Sequence, residues 1–99
     1  MAAQGELKER TKNKIKEPKL YNVIMLNDDF TTMEFVVEIL MDIFHKPRGE
    51  AEFLMLTVHK SGSAIVGSYP YDIASTKVAE ALSRARASGF PFRMKISEA

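Results

Sequence analysis

Apolar positions fall along this chain in two rhythms, one of period two and one of period three to four. From Lys19 to Leu26, Leu20, Ile24 and Leu26 alternate with Tyr21, Val23 and Met25, and only Asn22 interrupts a row. Both sides of the segment are nearly apolar, which predicts a central strand with at least one face fully covered. The rhythm then changes. Phe35, Val36, Ile39, Leu40, Ile43 and Phe44 recur at helical spacing, predicting a helix from Thr31 to Phe44 or His45. Thr31-x-x-Glu34 reads as its capping box and Pro47 as its stop. A second helix is expected from Arg48 to Lys60, with Glu50 and Glu52 at its positive end and Gly62 just past its last turn. Met55, Val58 and His59 share one of its faces.

Beyond Gly62 the period-two rhythm returns. Ser63 to Tyr69 predicts a short strand, stopped by Pro70. A third helix follows from Asp72 to Ser88, with Ile73, Val78, Ala81, Leu82 and Ala85 as a narrow apolar face, and Gly89 closes it. Phe92, Met94 and Ile96 alternate with Arg93, Lys95 and Ser97, a strand with one wet face. The order strand, helix, helix, strand, helix, strand predicts an α+β fold. It consists of a small, single-layer, mostly antiparallel sheet of three to four strands packed by three helices.

Residues 1–18 share neither rhythm. Leu7 and Ile15 are the only bulky apolar side chains among them, too few to offset the entropy of ordering, so the segment is expected to be disordered and residues 19–99 to form the folded core. Charge divides at the same place. Residues 1–19 carry six Lys and Arg against three acids, net +3, whereas residues 20–99 carry eight against ten, net −2. A basic leader raises the reading of a nucleic-acid or ribosome-associated module, but the acidic body argues against it. With 99 residues and no cysteine, the chain is at most one domain without disulfides or thiolate metal sites. No apolar run approaches the length of a membrane span.

The densest polar feature interrupts the first change of rhythm. Asn27, Asp28 and Asp29 stand between strand and helix, where a rigid corner projects their short side chains. Three carbonyl-bearing groups there suit a cation. By residue type alone they also suit a turn with a helix cap. His59 reads either as a helix histidine satisfied by a backbone carbonyl or as a neutral hydrogen-bond acceptor beside the corner. His45 reads as a favourable charge at a helix C-terminus. Asp, Asp and His could in principle hold a metal ion, but no second His lies at ligand spacing and no H-E-x-x-H pattern occurs. Without a cysteine, a nucleophile elbow or a glycine-rich phosphate loop, catalysis and cofactor binding are not expected. Met25, Met33 and Met55 suit an ordinary core, and equally a polarizable pocket for large apolar side chains. Acceptors at the mouth of such a pocket would fit a peptide's free N-terminus bearing a large first residue.

Longer stretches carry a resemblance. Tyr21-Asn22-Val23-Ile24-Met25-Leu26-Asn27-Asp28-Asp29-Phe30-Thr31, Met33-Glu34-Phe35-Val36, Leu54-Met55-Leu56-x-Val58-His59, Gly62-x-Ala64-Ile65-x-Gly67 and Thr76-Lys77-Val78 occur in this order. In them residues 19–99 resemble the ClpS family, bacterial adaptors that deliver N-degron substrates to a Clp protease. The resemblance implies a cytoplasmic, non-enzymatic adaptor for proteins beginning with Leu, Phe, Tyr or Trp, with nothing demanding more than a monomer. It implies that Asn27, Asp29 and His59 bind the substrate's α-amino group, with Asp28 beside them adding negative field. It places Met25, Leu26, Thr31, Met33, Val36, Met55, Val58 and Phe92 around the first side chain, with Met33 as a gate against β-branched residues. Asp72 and Lys77 fall on the surface that docks the N-terminal domain of a ClpA- or ClpC-type unfoldase, and the leader corresponds to the family's flexible extension. Thr32 stands where many members have Pro, and Phe92 where Leu is usual.

Overall fold

Val23 and Met25, one row of the first apolar segment, have no solvent exposure at all. That burial follows from their place in the middle of the sheet. The computed structural model describes residues 17–99, so the disorder expected of the leader lies outside the described residues through residue 16. Six elements follow in the order β1 (Tyr21–Leu26), α1 (Met33–Asp42), α2 (Arg48–Ser61), β2 (Ser63–Tyr69), α3 (Tyr71–Ala87) and β3 (Arg93–Glu98). The strands form one antiparallel sheet of three, in the order β2-β1-β3. Met25 lies opposite Ala64 on one side and Met94 on the other, and the register shifts once, between Val23 and Ile24. The α+β architecture and the element order are those the two rhythms predict.

The helices cover one face of this sheet. Phe35, Val36, Val37, Ile39 and Leu40 of α1 are buried, with Ile43 and Phe44 just beyond its end. From α3 the buried residues are Ala74, Ala81 and Ala85. Their small side chains let this helix approach the strands closely. Ile73, expected on that face, is 45% exposed, and Ala74 takes its place. The inward row is 74, 81 and 85, and Ile73 lies about 100° off it.

Two helix ends differ from expectation. The N-cap of α1 is Thr32, not Thr31: its extended backbone precedes the helix and its hydroxyl accepts from the Phe35 N–H at 3.1 Å. Thr31 is drawn away by Asp28, so the Thr31–Glu34 box does not form. α1 also stops at Asp42, with Ile43 as C-cap, short of the expected Phe44 or His45. His45 turns back with φ 56°, and the Lys46 N–H returns to the Leu40 carbonyl at 3.0 Å. Lys46 precedes Pro47, a place where helical backbone is disfavoured.

Gly62 ends α2 as expected. Its φ of 92° lies in the left-handed region, and its N–H donates to the Val58 carbonyl at 2.8 Å. Its own carbonyl accepts from the Asn27 N–H at 2.9 Å, tying the end of β1 to the end of α2.

Candidate functional site

The corner between β1 and α1 is shaped by one carboxylate. Asp28 Oδ1 accepts from the N–H groups of Phe30 and Thr31 at 2.8 and 2.7 Å, and Oδ2 accepts from the Thr31 hydroxyl at 2.7 Å. The side chain thus does what a turn asks of Asp: it satisfies the backbone before the helix can. Partial burial works to raise its carboxyl, but the Thr31 and Phe30 hydrogen bonds, with the charge of Arg93, hold it below the ordinary value.

With Asp28 committed, the other polar groups of the corner are left to face outward. The side chains of Asn27 and Asp29 make no hydrogen bond to another described residue, and neither does His59. All three line one cavity of about 380 Å³. Asn27 and Asp29 enter it from the loop, and His59 from the last turn of α2. Val36 and Val58 line it from the core side, 8% and 3% exposed. Met55 adds a flexible wall, and Met33, at the first turn of α1, is 46% exposed. Thr31 and Asp28 complete the loop side. Such a site can accept hydrogen bonds from a cation while burying an apolar group next to it.

Three residues expected here lie elsewhere. Met25 and Phe92 are core residues, and Phe92 packs edge-on against Phe35 with ring centroids 6.0 Å apart. Leu26 projects from the side of β1 opposite to Met25. None of the three lines the cavity. Phe30 and Thr32 also line it, two residues that the resemblance did not place among the pocket residues. Phe30 is 75% exposed. An aromatic directly after Asn-Asp-Asp, in a turn that cannot bury it, was the available signal. Among the described residues, no three His, Asp or Glu side chains are grouped so as to share a metal ion.

Asp72 and Lys77 lie on α3, far along the chain from this corner. Asp72 is exposed in the first turn. Lys77 is half-buried, and its Nζ donates to the Ile43 carbonyl at 2.7 Å. Beside it, Asp42, Ile43, Thr76 and Glu80 line a hollow of about 660 Å³, larger than the first. Arg84 and Asp42, also on its wall, pair with each other at 3.1 Å. No helix among the described residues is long and apolar enough to cross a membrane.

Comparison with known proteins points one way. The family model described as ATP-dependent Clp protease adaptor protein ClpS matches residues 16–95. The chain is similar to the ATP-dependent Clp protease adapter protein ClpS of Syntrophus aciditrophicus, 48% identical over 93 residues, covering 94% of this chain and 87% of that one. It is similar to the protein of the same description from Treponema denticola, 52% identical over 82 residues, covering 83% and 81%. Among solved structures it resembles Agrobacterium tumefaciens ClpS2 bound to L-phenylalaninamide, with a TM-score of 0.80 and 38% identity over 84% of this chain and all of that one.

Proposed function

The chain belongs to the ClpS family, and from that premise we propose that it is a non-catalytic adaptor for N-degrons. It binds the free α-amino group and the large first side chain (Leu, Phe, Tyr or Trp) of a protein. It then hands that protein to the N-terminal domain of a ClpA- or ClpC-type unfoldase. The observation that carries this reading is the trio of uncommitted acceptors, Asn27, Asp29 and His59, at a cavity backed by Val36, Met55 and Val58. The L-phenylalaninamide on the structural relative is a free amino group beside a benzyl group, which is the chemistry this cavity suits.

The ammonium donates to the Asn27 and Asp29 side-chain oxygens and to a neutral His59 nitrogen. Each such charge-assisted bond contributes about 1.5–3 kcal/mol. Burying a Leu or Phe side chain adds about 1.5–3 kcal/mol. Less the cost of association, the sum reaches roughly micromolar affinity, about −8 kcal/mol. Neither half suffices alone. Met33 at the rim acts as the gate that a branch at Cβ would strike. Asp72 marks the unfoldase-docking face of α3, and Lys77 supports that face by holding the end of α1. Residues 19–99 form the binding core, and residues 1–18 serve delivery.

Fluorescence polarisation with peptides beginning Leu, Ile and N-acetyl-Leu tests the proposal. The Leu peptide binds, and the other two bind far more weakly. Equal binding of all three refutes it.

A further inference from the structure

Met33 and Met55 are walls of two hollows, not one. They line the cavity described above, and also a second hollow of about 340 Å³ between α1 and α2. Met41 extends the thioether wall of this second hollow. Its rim is acidic: Glu34 and Glu38 come from α1 and Glu52 from α2, against Arg48 alone. Arg48 is already tied to Glu52, at 3.8 Å across one helical turn. Glu34 and Glu38, also one turn apart, enter no ion pair among the described residues. Like charges at that spacing repel each other. The hollow therefore offers adaptable apolar walls and two carboxylates with no cation between them. A long basic side chain complements both features, with its methylene stem along the methionines and its head at the carboxylates.

We infer that this hollow takes the side chain of a Lys or Arg at the third position of the N-terminal segment whose first side chain fills the neighbouring cavity. The inference rests on the function proposed above and adds a substrate preference to it. The position follows from strand geometry. In an extended chain the first and third side chains point the same way and the second points opposite. Two residues advance an extended chain by about 7 Å, and the two hollows are neighbours that share Met33 and Met55 as walls. A peptide leaving the cavity over Met33 and Met55 thus presents its third side chain to Glu34 and Glu38.

The test is a titration of the full chain with peptides beginning Leu-Ala-Arg, Leu-Ala-Ala, Leu-Arg-Ala and Leu-Ala-citrulline. Arg at the third position binds about 3- to 5-fold more tightly than Ala there, the effect of one exposed ion pair. Citrulline, which keeps the shape without the charge, shows no such gain. The gain disappears in the Glu34→Gln/Glu38→Gln protein and at about 1 M salt. Neither Glu lines the first cavity, so Leu-Ala-Ala binds that variant as it binds the parent. Equal affinity for Arg and Ala at the third position overturns the inference while Leu-dependent binding stands. An equal gain from Arg at the second position also overturns it, because that would be the field of the whole surface. If Leu-Ala-Ala binds no better than its acetylated form, the underlying function fails and takes the inference with it.

Discussion

The two ends of α1 each border a hollow, and they differ in what their polar groups are already doing. At the C-terminal end Lys77, Arg84 and Asp42 have partners inside the protein, and Glu80 is the charge on that wall with none among the described residues. Lys77 donates to the Ile43 carbonyl at 2.7 Å, with its Nζ 5.8 Å from the Phe44 ring centroid and 5.3 Å from that of Tyr69. It thereby satisfies a carbonyl left over at the end of a helix and sits at the negative end of the dipole. Arg84 holds Asp42. At the N-terminal end Asp28, Thr31 and Thr32 are committed to the corner itself, and Asn27, Asp29 and His59 have no side-chain partner among the described residues. The C-terminal hollow is the larger, about 660 Å³ against 380 Å³. Under the proposed function the smaller hollow is the one that binds, so volume alone would not identify it. The better guide is convergence of groups whose hydrogen-bonding capacity the fold has left unused.

The sharpest way to break this contrast is to remove one unused group. Asp29→Ala is expected to lower affinity for a Leu-started peptide by about 10- to 100-fold, the worth of one charge-assisted hydrogen bond. Stability should stay within about 0.5 kcal/mol, because the side chain is exposed and has no hydrogen-bond or ion-pair partner among the described residues. Peptide titration and urea denaturation on the same sample check both halves. A fall in stability matching the fall in binding would mean that Asp29 is committed after all.

At the other end the pattern should invert. Lys77→Met keeps the stem against Phe44 and Tyr69 but leaves the Ile43 carbonyl without its donor. The expected loss of stability is about 2 kcal/mol, with peptide affinity unchanged. If urea denaturation shows no loss while docking to an unfoldase N-terminal domain disappears, the ammonium is an outward-facing contact. The two ends of α1 would then work alike.

This contrast marks how far the chain could be read before its fold was known. Both rhythms were legible because burial imposes them directly: Val23 and Met25 in the central strand, and the 35–36–39–40 row in α1. Gly62 was legible because few other residues tolerate its backbone. Asn27, Asp29, His59, Val36 and Met55 could be placed around one site by resemblance, and they do line one cavity. What stayed hidden were choices between chemically equal neighbours. Thr31 and Thr32 can both cap a helix, and only the three hydrogen bonds to Asp28 decide that Thr32 does. Met25 and Phe92, expected around the first side chain, do not line that cavity, for a related reason. An apolar residue serves equally well in the core behind a site, and there Met25 lies in the central strand while Phe92, just before β3, packs on Phe35. Lys77 could not be known from sequence to turn inward, since its acceptor lies 34 residues away.

Asp28 is the finest test, because it stands beside the unused groups yet belongs with the committed ones. Asp28→Asn keeps an acceptor for the Phe30 and Thr31 N–H groups but removes the charge that strengthens those bonds. At neutral pH the substitution should cost about 1 kcal/mol of stability, in the range of a lost cap interaction. Its effect on peptide affinity should be no more than about 5-fold, the loss of a nearby charge rather than of a contact. The pH dependence separates the two roles. The folded protein holds the Asp28 carboxyl below its ordinary value of 3.8. The unfolded chain therefore takes up the proton first as pH falls. The stabilisation is complete above that ordinary value and is lost as pH drops through the lower folded one. The gap in stability between the parent and Asp28→Asn should thus be full at pH 7 and close in stronger acid, read by urea denaturation across that range. A gap independent of pH would show that the charge contributes nothing to the corner. A loss of binding as large as that of Asp29→Ala, at unchanged stability, would move Asp28 into direct contact with the ammonium and erase the distinction between the two aspartates.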